Sequence, residues 1–279
     1  VGNSEKIRLT LAAIISQGSI LIEDYPGSGK TTFAKAITQS LGLNFKRVQF
    51  TSDLLPSDIL GFNIFSDGKL NFQKGPIFTN IVLADELNRG SPKSQSAFLE
   101  AMEEKNVSID GISHSLPEPF FVIATQNPMD TSGTSSLPDS QLDRFMVSYS
   151  LSELNDDDKI EMLKKEISFV EDNSEKIDWK KIKEKKNKVT VKDEIYKYVI
   201  NIEQTIQSID RKIYISARCL KQIIDLARGW ALINEKDYVT HQDIKDTIPY
   251  ILRHRIRFLN QEEKVEFVKK EILEKIDIN

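Results

Sequence analysis

Short apolar segments alternate with helical patterns through the first 150 residues, and this alternation constrains the fold more than any other feature. Continuous apolar strands interleaved with helices predict a parallel sheet that is covered on both faces. The predicted strands are residues 19–23, 48–50, 81–86 and 120–125, and the predicted helices begin at Thr31 and span Lys93–Glu104. We therefore predict an α/β domain over residues 1–152.

The second half of the chain has only helical spacing of its apolar residues. After Leu154 the apolar positions are Ile160, Leu163 and Ile167, then Ile195, Val199, Ile202 and Ile206, then Leu220, Ile223, Ile224, Ala227 and Trp230. This pattern predicts an all-helical domain over residues 153–279. A lysine-rich stretch of mixed charge, residues 176–192, is predicted to be a solvated surface rather than a polybasic binding arm.

Two segments interrupt the α/β pattern, and each alternates around an Asp-Gly turn. Residues 62–78 centre on Asp67-Gly68, and residues 105–117 centre on Asp110-Gly111. Both are predicted to be β-hairpin insertions. Because a two-stranded hairpin is marginal alone, each is expected to pack on a neighbouring subunit or a substrate, or alternatively on its own domain.

The overall composition excludes several classes of protein. A net charge of -4 gives no support for a nucleic-acid footprint, and hydrophobic residues make up 39%, as in a globular protein. No apolar run approaches the ~20 residues of a membrane span, and the first residues lack signal-peptide character. The single cysteine, Cys219, excludes an internal disulfide. These features predict a cytoplasmic protein without a membrane span.

A glycine-rich loop connects the first predicted strand to the helix at Thr31. The segment EDYPGSGKTT, residues 23–32, fits the phosphate-loop pattern G-x-x-x-x-G-K-[ST] except that Asp24 stands where the first glycine is expected. In this context backbone N–H groups can surround phosphate oxygens at the positive end of the helix dipole. The predicted nucleotide-binding residues are Gly27, Ser28, Gly29, Lys30, Thr31 and Thr32. The alternative is a glycine-rich turn that caps an ordinary helix.

Asp24 raises the question of whether a carboxylate abolishes binding at this loop. Position 24 ends the strand, so its side chain need not enter the phosphate cradle. One carboxylate about 10 Å from one phosphate charge costs roughly 1 to 2 kcal/mol at an effective dielectric of about 20. Lys30, Mg²⁺ and the helix dipole can outweigh this cost. We therefore expect Asp24 to tune affinity, and Asp24→Gly to bind ATP several-fold more tightly at low salt.

Two adjacent acids end the strand that begins at Ile81. Parallel sheets place their ligands at the carboxyl ends of strands, which is where Asp85 and Glu86 lie. Lys30 can supply charge to the β- and γ-phosphates, and the Thr31 hydroxyl can bind Mg²⁺. Asp85 can hold the same ion through its water shell, and Glu86 can polarise an attacking water. The alternative is an accidental pair of helix-capping acids.

Five segments resemble the MoxR family of AAA+ ATPases, and because the resemblance extends through both insertions it covers nearly the whole chain. They are ADELNRGSPKSQSAFLEAMEE (84–104), LPEPFFVIATQNP (116–128), LPDSQLDRF (137–145), RGWALINEKDYVT (228–240) and ILRHRI (251–256). The resemblance implies an α/β P-loop NTPase (AAA+) domain with a parallel sheet and two β-hairpin insertions, followed by an all-helical lid domain. It also implies an ATPase with ATP and Mg²⁺ as cofactors.

The resemblance assigns further catalytic roles. Asn127 matches the polar sensor that positions the attacking water, Arg144 matches the arginine finger given to a neighbouring subunit, and Arg218 matches the second sensor of the lid. The segment Val1-Gly2 resembles the one that lines the adenine pocket. The alternatives are a turn-forming asparagine, an ion pair of Arg144 with Asp139 or Asp143, and an exposed helical arginine.

A finger donated in trans implies a homo-oligomeric ring, most often a hexamer in this superfamily. MoxR-like proteins resemble chaperones that remodel or activate a client protein, often one with a von Willebrand factor A domain, including insertion of metal cofactors. One alternative is a DNA motor, although the two hairpin turns carry Asp67 and Asp110 rather than a basic tip. The other alternative is an ATP-binding scaffold without turnover, against which Glu86, Asn127 and Arg144 argue.

Overall fold

The computed structural model describes residues 4–25, 27–66, 68–127, 137–151, 177–209 and 213–276. Strands β1 to β9 of these residues span, in order, Ile20–Glu23, Phe45–Gln49, Gly61–Ser66, Lys69–Lys74, Ile81–Asp85, Asn106–Ile109, Ile112–Ser115, Phe121–Gln126 and Val147–Tyr149. Helices α1 to α10 span Ser4–Ile15, Lys30–Ser40, Pro56–Leu60, Pro92–Glu104, Asp139–Leu142, Trp179–Lys188, Asp193–Ile209, Ala217–Ile233, His241–Leu252 and Gln261–Phe267. Short 3-10 turns and one π-helical turn lie at Leu87–Arg89, Arg253–Arg255, Val268–Ile272 and Leu273–Lys275.

Five strands form one sheet in the order β2-β5-β8-β1-β9. Strand β5 pairs in parallel with β2 on one side and β8 on the other, so that Ile81 lies between Phe45 and Phe121. Every residue of β1 and β5 is buried, because a parallel sheet that is covered on both faces selects continuous apolar runs. The predicted α/β architecture is therefore confirmed.

Two elements of this sheet differ from the sequence-based expectation. Strand β2 begins at Phe45, three residues before the predicted start. The prediction missed its first residues because they lack an apolar pattern, being partly exposed in a strand at the edge of the sheet. Strand β9, Val147–Tyr149, was not predicted, since three residues are too few to establish a period. Helix α1 was also not predicted.

Both predicted hairpin insertions are present as two-stranded antiparallel sheets, β3-β4 and β6-β7. Asp110 and Gly111 have φ of 50° and 78°, the left-handed pair that a tight hairpin turn requires. The two hairpins contact each other, since the Phe72 and His114 rings stack with centroids 4.0 Å apart and Asn63 Nδ2 donates to Asp110 Oδ2 at 2.7 Å. The hairpins thus pack partly within their own domain.

The described residues form two compact units. One takes its residues from Leu21–Gln141 and Ser150–Ile177, and the other from Asn3–Ile20, Leu142–Tyr149 and Asp178–Asn279. The predicted domain boundary at 152 and 153 and the helical pattern at Ile160 to Ile167 lie outside the described residues, so both stay predictions.

The second unit contains long amphipathic helices, of which α7 is an example. In α7 the predicted positions Ile195, Val199, Ile202 and Ile206 are all buried. Helices α1 and α8 approach closely at Gly229. A Cβ added at this residue would lie only 2.6 Å from the Ala12 carbonyl oxygen, so the contact requires glycine. No helix among the described ranges has both the length and the apolar character needed to cross a bilayer.

All described lysines of the lysine-rich stretch except Lys186 are exposed. The Lys186 side chain in α6 is only 10% exposed, and its Nζ pairs with the Asp225 carboxylate at 3.2 Å. The partner lies on α8, so the composition of the stretch itself could not reveal this contact. Lys186 therefore belongs to the helix packing of the second unit.

Candidate active site

The glycine-rich loop lies between β1 and α2 and adopts the conformation that its glycines permit. Gly27 and Gly29 both have φ of 83°, and a Cβ added at either would meet no atom within 4 Å. Glycine is therefore favoured here by the left-handed backbone and not by lack of space. Left-handed residues of this kind build the concave groups of N–H donors that bind anions. Helix α2 begins at Lys30, one residue before the predicted start.

The Lys30 ammonium group lies against its own loop. Its Nζ donates to the Tyr25 carbonyl oxygen at 2.7 Å and to the Asp24 carbonyl oxygen at 3.2 Å, and it lies 3.5 Å from Ser28 Oγ. A phosphate would offer charged oxygens to the same group, and hydrogen bonds between charged partners are the stronger ones. The lysine is thus held by neutral acceptors of its own loop.

Asp85 ends strand β5 and is almost fully buried. Its Oδ1 accepts a hydrogen bond from Thr125 Oγ1 at 2.6 Å, and its Oδ2 accepts from Arg47 Nη2 at 2.6 Å and from Arg47 Nε at 3.0 Å. A buried carboxylate needs such partners to offset its desolvation. The neighbouring strands β8 and β2 provide them, one on each side of β5.

Glu86 follows with φ of 55°, a left-handed conformation that is uncommon outside glycine. Its N–H donates to Thr125 Oγ1 at 2.9 Å, and its Oε2 accepts from Gln49 Nε2 at 2.8 Å and from Arg89 Nη1 at 3.1 Å. Non-glycine residues in this region persist only where the surroundings hold them, and they cluster at functional sites. The contacts hold the Glu86 carboxylate at the carboxyl edge of the sheet.

One cavity of about 380 Å³ brings these groups together. It is lined by Gly27, Ser28, Gly29, Lys30, Thr31, Thr32, Arg47, Asp85, Glu86, Thr125, Gln126 and Asn127. All of the predicted site residues of the first unit are among them. The Thr31 hydroxyl and the Asp85 carboxylate are oxygen donors, which fit Mg²⁺ because that ion takes oxygen ligands and uses one or two protein carboxylates together with phosphates.

Sequence reasoning missed Arg47, Gln49 and Thr125. Arg47 and Gln49 are two residues apart on β2, so both side chains lie on the same face of the strand. They contact Asp85 and Glu86 respectively. The predicted strand began at residue 48, which hid this alternation. The signal that indicates Arg47 and Gln49 is a pair of polar residues at i and i+2, in a strand predicted to neighbour one that ends in two acids.

Arg144 and Arg218, the other two predicted catalytic residues, belong to the second compact unit. Arg144 is half-buried, and the Arg218 side chain is 40% exposed at the start of α8. Ser216 caps this helix, since its Oγ accepts from the Cys219 N–H at 3.0 Å. Val1-Gly2, the predicted adenine segment, lies outside the described residues.

Asp143, the residue before Arg144, is the centre of a polar cluster in this second unit. Its carboxylate accepts from Arg255 Nη2 at 3.0 Å, from Arg218 Nη1 at 3.3 Å and from Ser216 Oγ at 2.7 Å. Its main-chain oxygen accepts from Gln222 Nε2 at 3.3 Å. These contacts tie the segment of Arg144 to helix α8, which carries Arg218.

His254 completes the cluster as a neutral, buried ring. Burial lowers the pKa of His254 well below its ordinary value, and the positive charges of Arg255 and Lys264 lower the pKa further. Arg255 Nη1 lies 2.7 Å from His254 Nε2, and a guanidinium can only donate, so this nitrogen accepts. The folded protein therefore excludes the protonated ring.

We expect the free energy of unfolding to fall as the pH drops below the ordinary histidine pKa of about 6.5. The unfolded chain then binds a proton at His254 that the folded chain excludes, so acid favours unfolding. This residue alone contributes a slope of up to about 1.4 kcal/mol per pH unit below that value. Denaturant titrations from about pH 7 to pH 5.5 should give a shallower slope for His254→Gln than for the unsubstituted protein. Parallel slopes would contradict the neutral, buried assignment.

Comparisons with known proteins agree with this architecture. The family model described as ATPase family associated with various cellular activities (AAA) matches residues 19–147, and the AAA lid domain model matches residues 203–276. The uncharacterised protein YeaC of Bacillus subtilis is 40% identical over 98% of this chain and 88% of its own length. Chaperone MoxR1 of Mycobacterium tuberculosis is 34% identical over 92% of this chain and 72% of its own length.

A solved structure has the same fold over the full chain. The crystal structure of a candidate ATPase from Cytophaga hutchinsonii superposes with a TM-score of 0.85 at 36% identity, and the match covers 100% of this chain and 91% of that one. The fold and the family models together define an AAA+ domain with a parallel sheet, followed by a helical lid domain. The chain belongs to the MoxR family of AAA+ ATPases.

Proposed function

We propose that this protein binds ATP with Mg²⁺ in the 380 Å³ cavity and hydrolyses it. The observation that carries the proposal is that the phosphate loop at the start of α2 and the two acids at the end of β5 line the same cavity. Phosphoryl transfer needs a cradle for the phosphates, an oxygen ligand for a metal and a group that orients the attacking water. The cavity contains a candidate residue for each of these tasks.

The proposed roles follow from the position and chemistry of each side chain. Lys30 donates to β- and γ-phosphate oxygens from its position against the loop carbonyl oxygens, while the loop N–H groups of Gly27 to Thr32 bind the phosphates. Thr31 and Asp85 would hold Mg²⁺, which when bound neutralises charge on the phosphate oxygens. Arg47, paired with Asp85, adds a second positive charge to the cavity wall.

Glu86 is proposed to accept the proton of the attacking water. Its carboxylate is oriented by Gln49 and Arg89, and its main chain by Thr125, so it is held before substrate arrives. Pre-organisation of this kind reduces the cost of reaching the transition state. Asn127, which lines the same cavity, is proposed to position the water from the end of β8.

We further propose that several copies of the chain form a ring, most often a hexamer in this superfamily. In this ring Arg144 reaches the γ-phosphate bound by a neighbouring copy. Arg218 senses the nucleotide from a lid domain over residues 153–279. Asp143, which precedes Arg144, accepts hydrogen bonds from Arg218 and Ser216. These contacts support the proposal that Arg144 and Arg218 respond together to bound nucleotide. Membership of the family, together with a relative named Chaperone MoxR1, supports a client protein that is remodelled or activated in the cytoplasm. A client with a von Willebrand factor A domain is the form that the family resemblance favours.

Mixing two inactive variants tests whether neighbouring subunits form the active site together. Arg144→Ala and Glu86→Gln copies should each be nearly inactive alone, because every interface lacks one catalytic group. In an equal mixture about a quarter of interfaces pair an intact Glu86 with an intact Arg144, so about a quarter of the phosphate-release rate should return. The mixture must first be shown to co-assemble, for example by capture through a tag on one variant. No recovery in co-assembled rings would assign Arg144 a structural role.

A further inference from the structure

Asp24, which replaces the first glycine of the phosphate-loop pattern, is 1% exposed. Three hydrogen bonds from described residues reach its carboxylate, and all three donors are neutral. Oδ2 accepts from the Leu151 N–H at 2.9 Å, and Oδ1 accepts from Ser150 Oγ at 3.2 Å and from the N–H of Tyr25 at 3.0 Å. The side chain therefore joins the start of the loop to a segment that follows it by more than 120 residues.

The main chain of Asp24 is held as well. Its N–H donates to the Gln126 carbonyl oxygen at 3.1 Å, and its carbonyl oxygen accepts from Lys30 Nζ at 3.2 Å. The next carbonyl, that of Tyr25, accepts from the same ammonium group at 2.7 Å. The two acceptors that position Lys30 thus belong to a dipeptide whose place is set by the Asp24 carboxylate.

This geometry competes with the charge argument made from the sequence. A carboxylate that only repelled phosphate would weaken binding, and its removal would tighten it, most of all at low salt. Asp24 is instead directed into the protein and is not one of the described residues that line the cavity. Replacing Asp24 by glycine would remove one acceptor each from Ser150 Oγ, the Leu151 N–H and the Tyr25 N–H, and it would add the freedom of glycine to the loop.

We propose that Asp24 is a positioning residue for nucleotide binding, which fastens the phosphate loop to Ser150 and Leu151 and so holds Lys30 in place. This inference rests on the proposed function of the cavity. A loop that is held in its binding conformation before the ligand arrives does not lose that freedom on binding. Asp24 therefore increases affinity through the loop, and its effect does not depend on salt.

The test is calorimetric titration with Mg-ADP at low and at physiological salt. Asp24→Gly should bind about tenfold more weakly at both salt concentrations, because loop order and not charge is lost. Asp24→Asn has nearly the same shape, can still accept from the Leu151 N–H and can donate to Ser150 Oγ. It gives up only the contact with the Tyr25 N–H, so it should stay within about threefold of the unsubstituted protein. Ser150→Ala, which removes one donor from the partner side, should weaken binding by about threefold.

The outcomes separate the competing accounts. Tighter binding by Asp24→Gly and Asp24→Asn, with a gain that shrinks as salt rises, would overturn the proposal in favour of repulsion. An unchanged Kd with fewer competent sites per chain would also overturn it, since that result marks a purely structural role. If Asp24→Gly does not fold, Asp24→Asn and Ser150→Ala decide by the same criteria. If the unsubstituted protein binds no Mg-ADP, the proposed function itself fails and this inference fails with it.

Discussion

Replacing Glu86 by glutamine is expected to leave ATP bound and to lower kcat for hydrolysis by about 10² to 10⁴-fold, the usual contribution of a general base. Glutamine has nearly the same shape, and its side-chain oxygen can still accept from Gln49 or Arg89, so the site keeps its packing. What it loses is the ability to take the proton of the attacking water. The Kd for Mg-ATP should therefore stay close to that of the unsubstituted protein.

Phosphate release and equilibrium nucleotide binding, measured on the same preparation, check this prediction. Glu104→Gln is the matched control, because Glu104 is an exposed residue at the end of α4 and its substitution should leave both quantities unchanged. Hydrolysis by Glu86→Gln at the unsubstituted rate would remove Glu86 from the proposed mechanism. A large loss of binding would instead give it a role in holding the nucleotide.

Replacing Lys30 by alanine is expected to weaken nucleotide binding by at least about 100-fold, since hydrogen bonds to charged groups contribute roughly 1.5 to 3 kcal/mol each and Lys30 would make more than one. The ammonium group already lies within the loop, 2.7 Å from the Tyr25 carbonyl oxygen, so little rearrangement is needed before it meets a phosphate. No other side chain of the loop, residues 23–32, is cationic.

Lys35→Ala provides the control for charge, because Lys35 is exposed on the same helix α2 and should bind nucleotide as before. Titration calorimetry with Mg-ADP measures both variants. An affinity of Lys30→Ala within a few-fold of the control would mean that the loop backbone and the helix dipole suffice, and it would contradict the assigned role of the lysine.

The parts of the site that the sequence predicts well are those set by local conformation. Gly27 and Gly29 belong to the predicted glycine-rich loop, and both have a positive φ, which glycine adopts without strain. Asp85 likewise follows directly from an apolar strand in a parallel sheet. In each case the residues that define the feature are adjacent in the chain, so a short segment contains the whole signal.

The parts that the sequence leaves open depend on partners far along the chain. The contact of Arg47 with Asp85 requires the neighbour relation of β2 and β5, and that of Asp24 with Leu151 spans most of the α/β half. From the sequence, Asp24 is recognisable only as a negative charge near a phosphate, because no local pattern indicates that Ser150 is its partner. Asp143 shows the same limit, since its partners Arg218 and Arg255 come from the helical half.

The rate of phosphate release from Mg-ATP tests the central claim most directly. It should be measured against ATP concentration for the unsubstituted protein, Lys30→Ala and Glu86→Gln, all purified identically. We expect saturable release by the unsubstituted protein and almost none by either variant, because one lacks the phosphate contact and the other lacks the base. Equal release by all three proteins, or no release and no nucleotide binding by the unsubstituted protein, would contradict the claim that this cavity hydrolyses ATP.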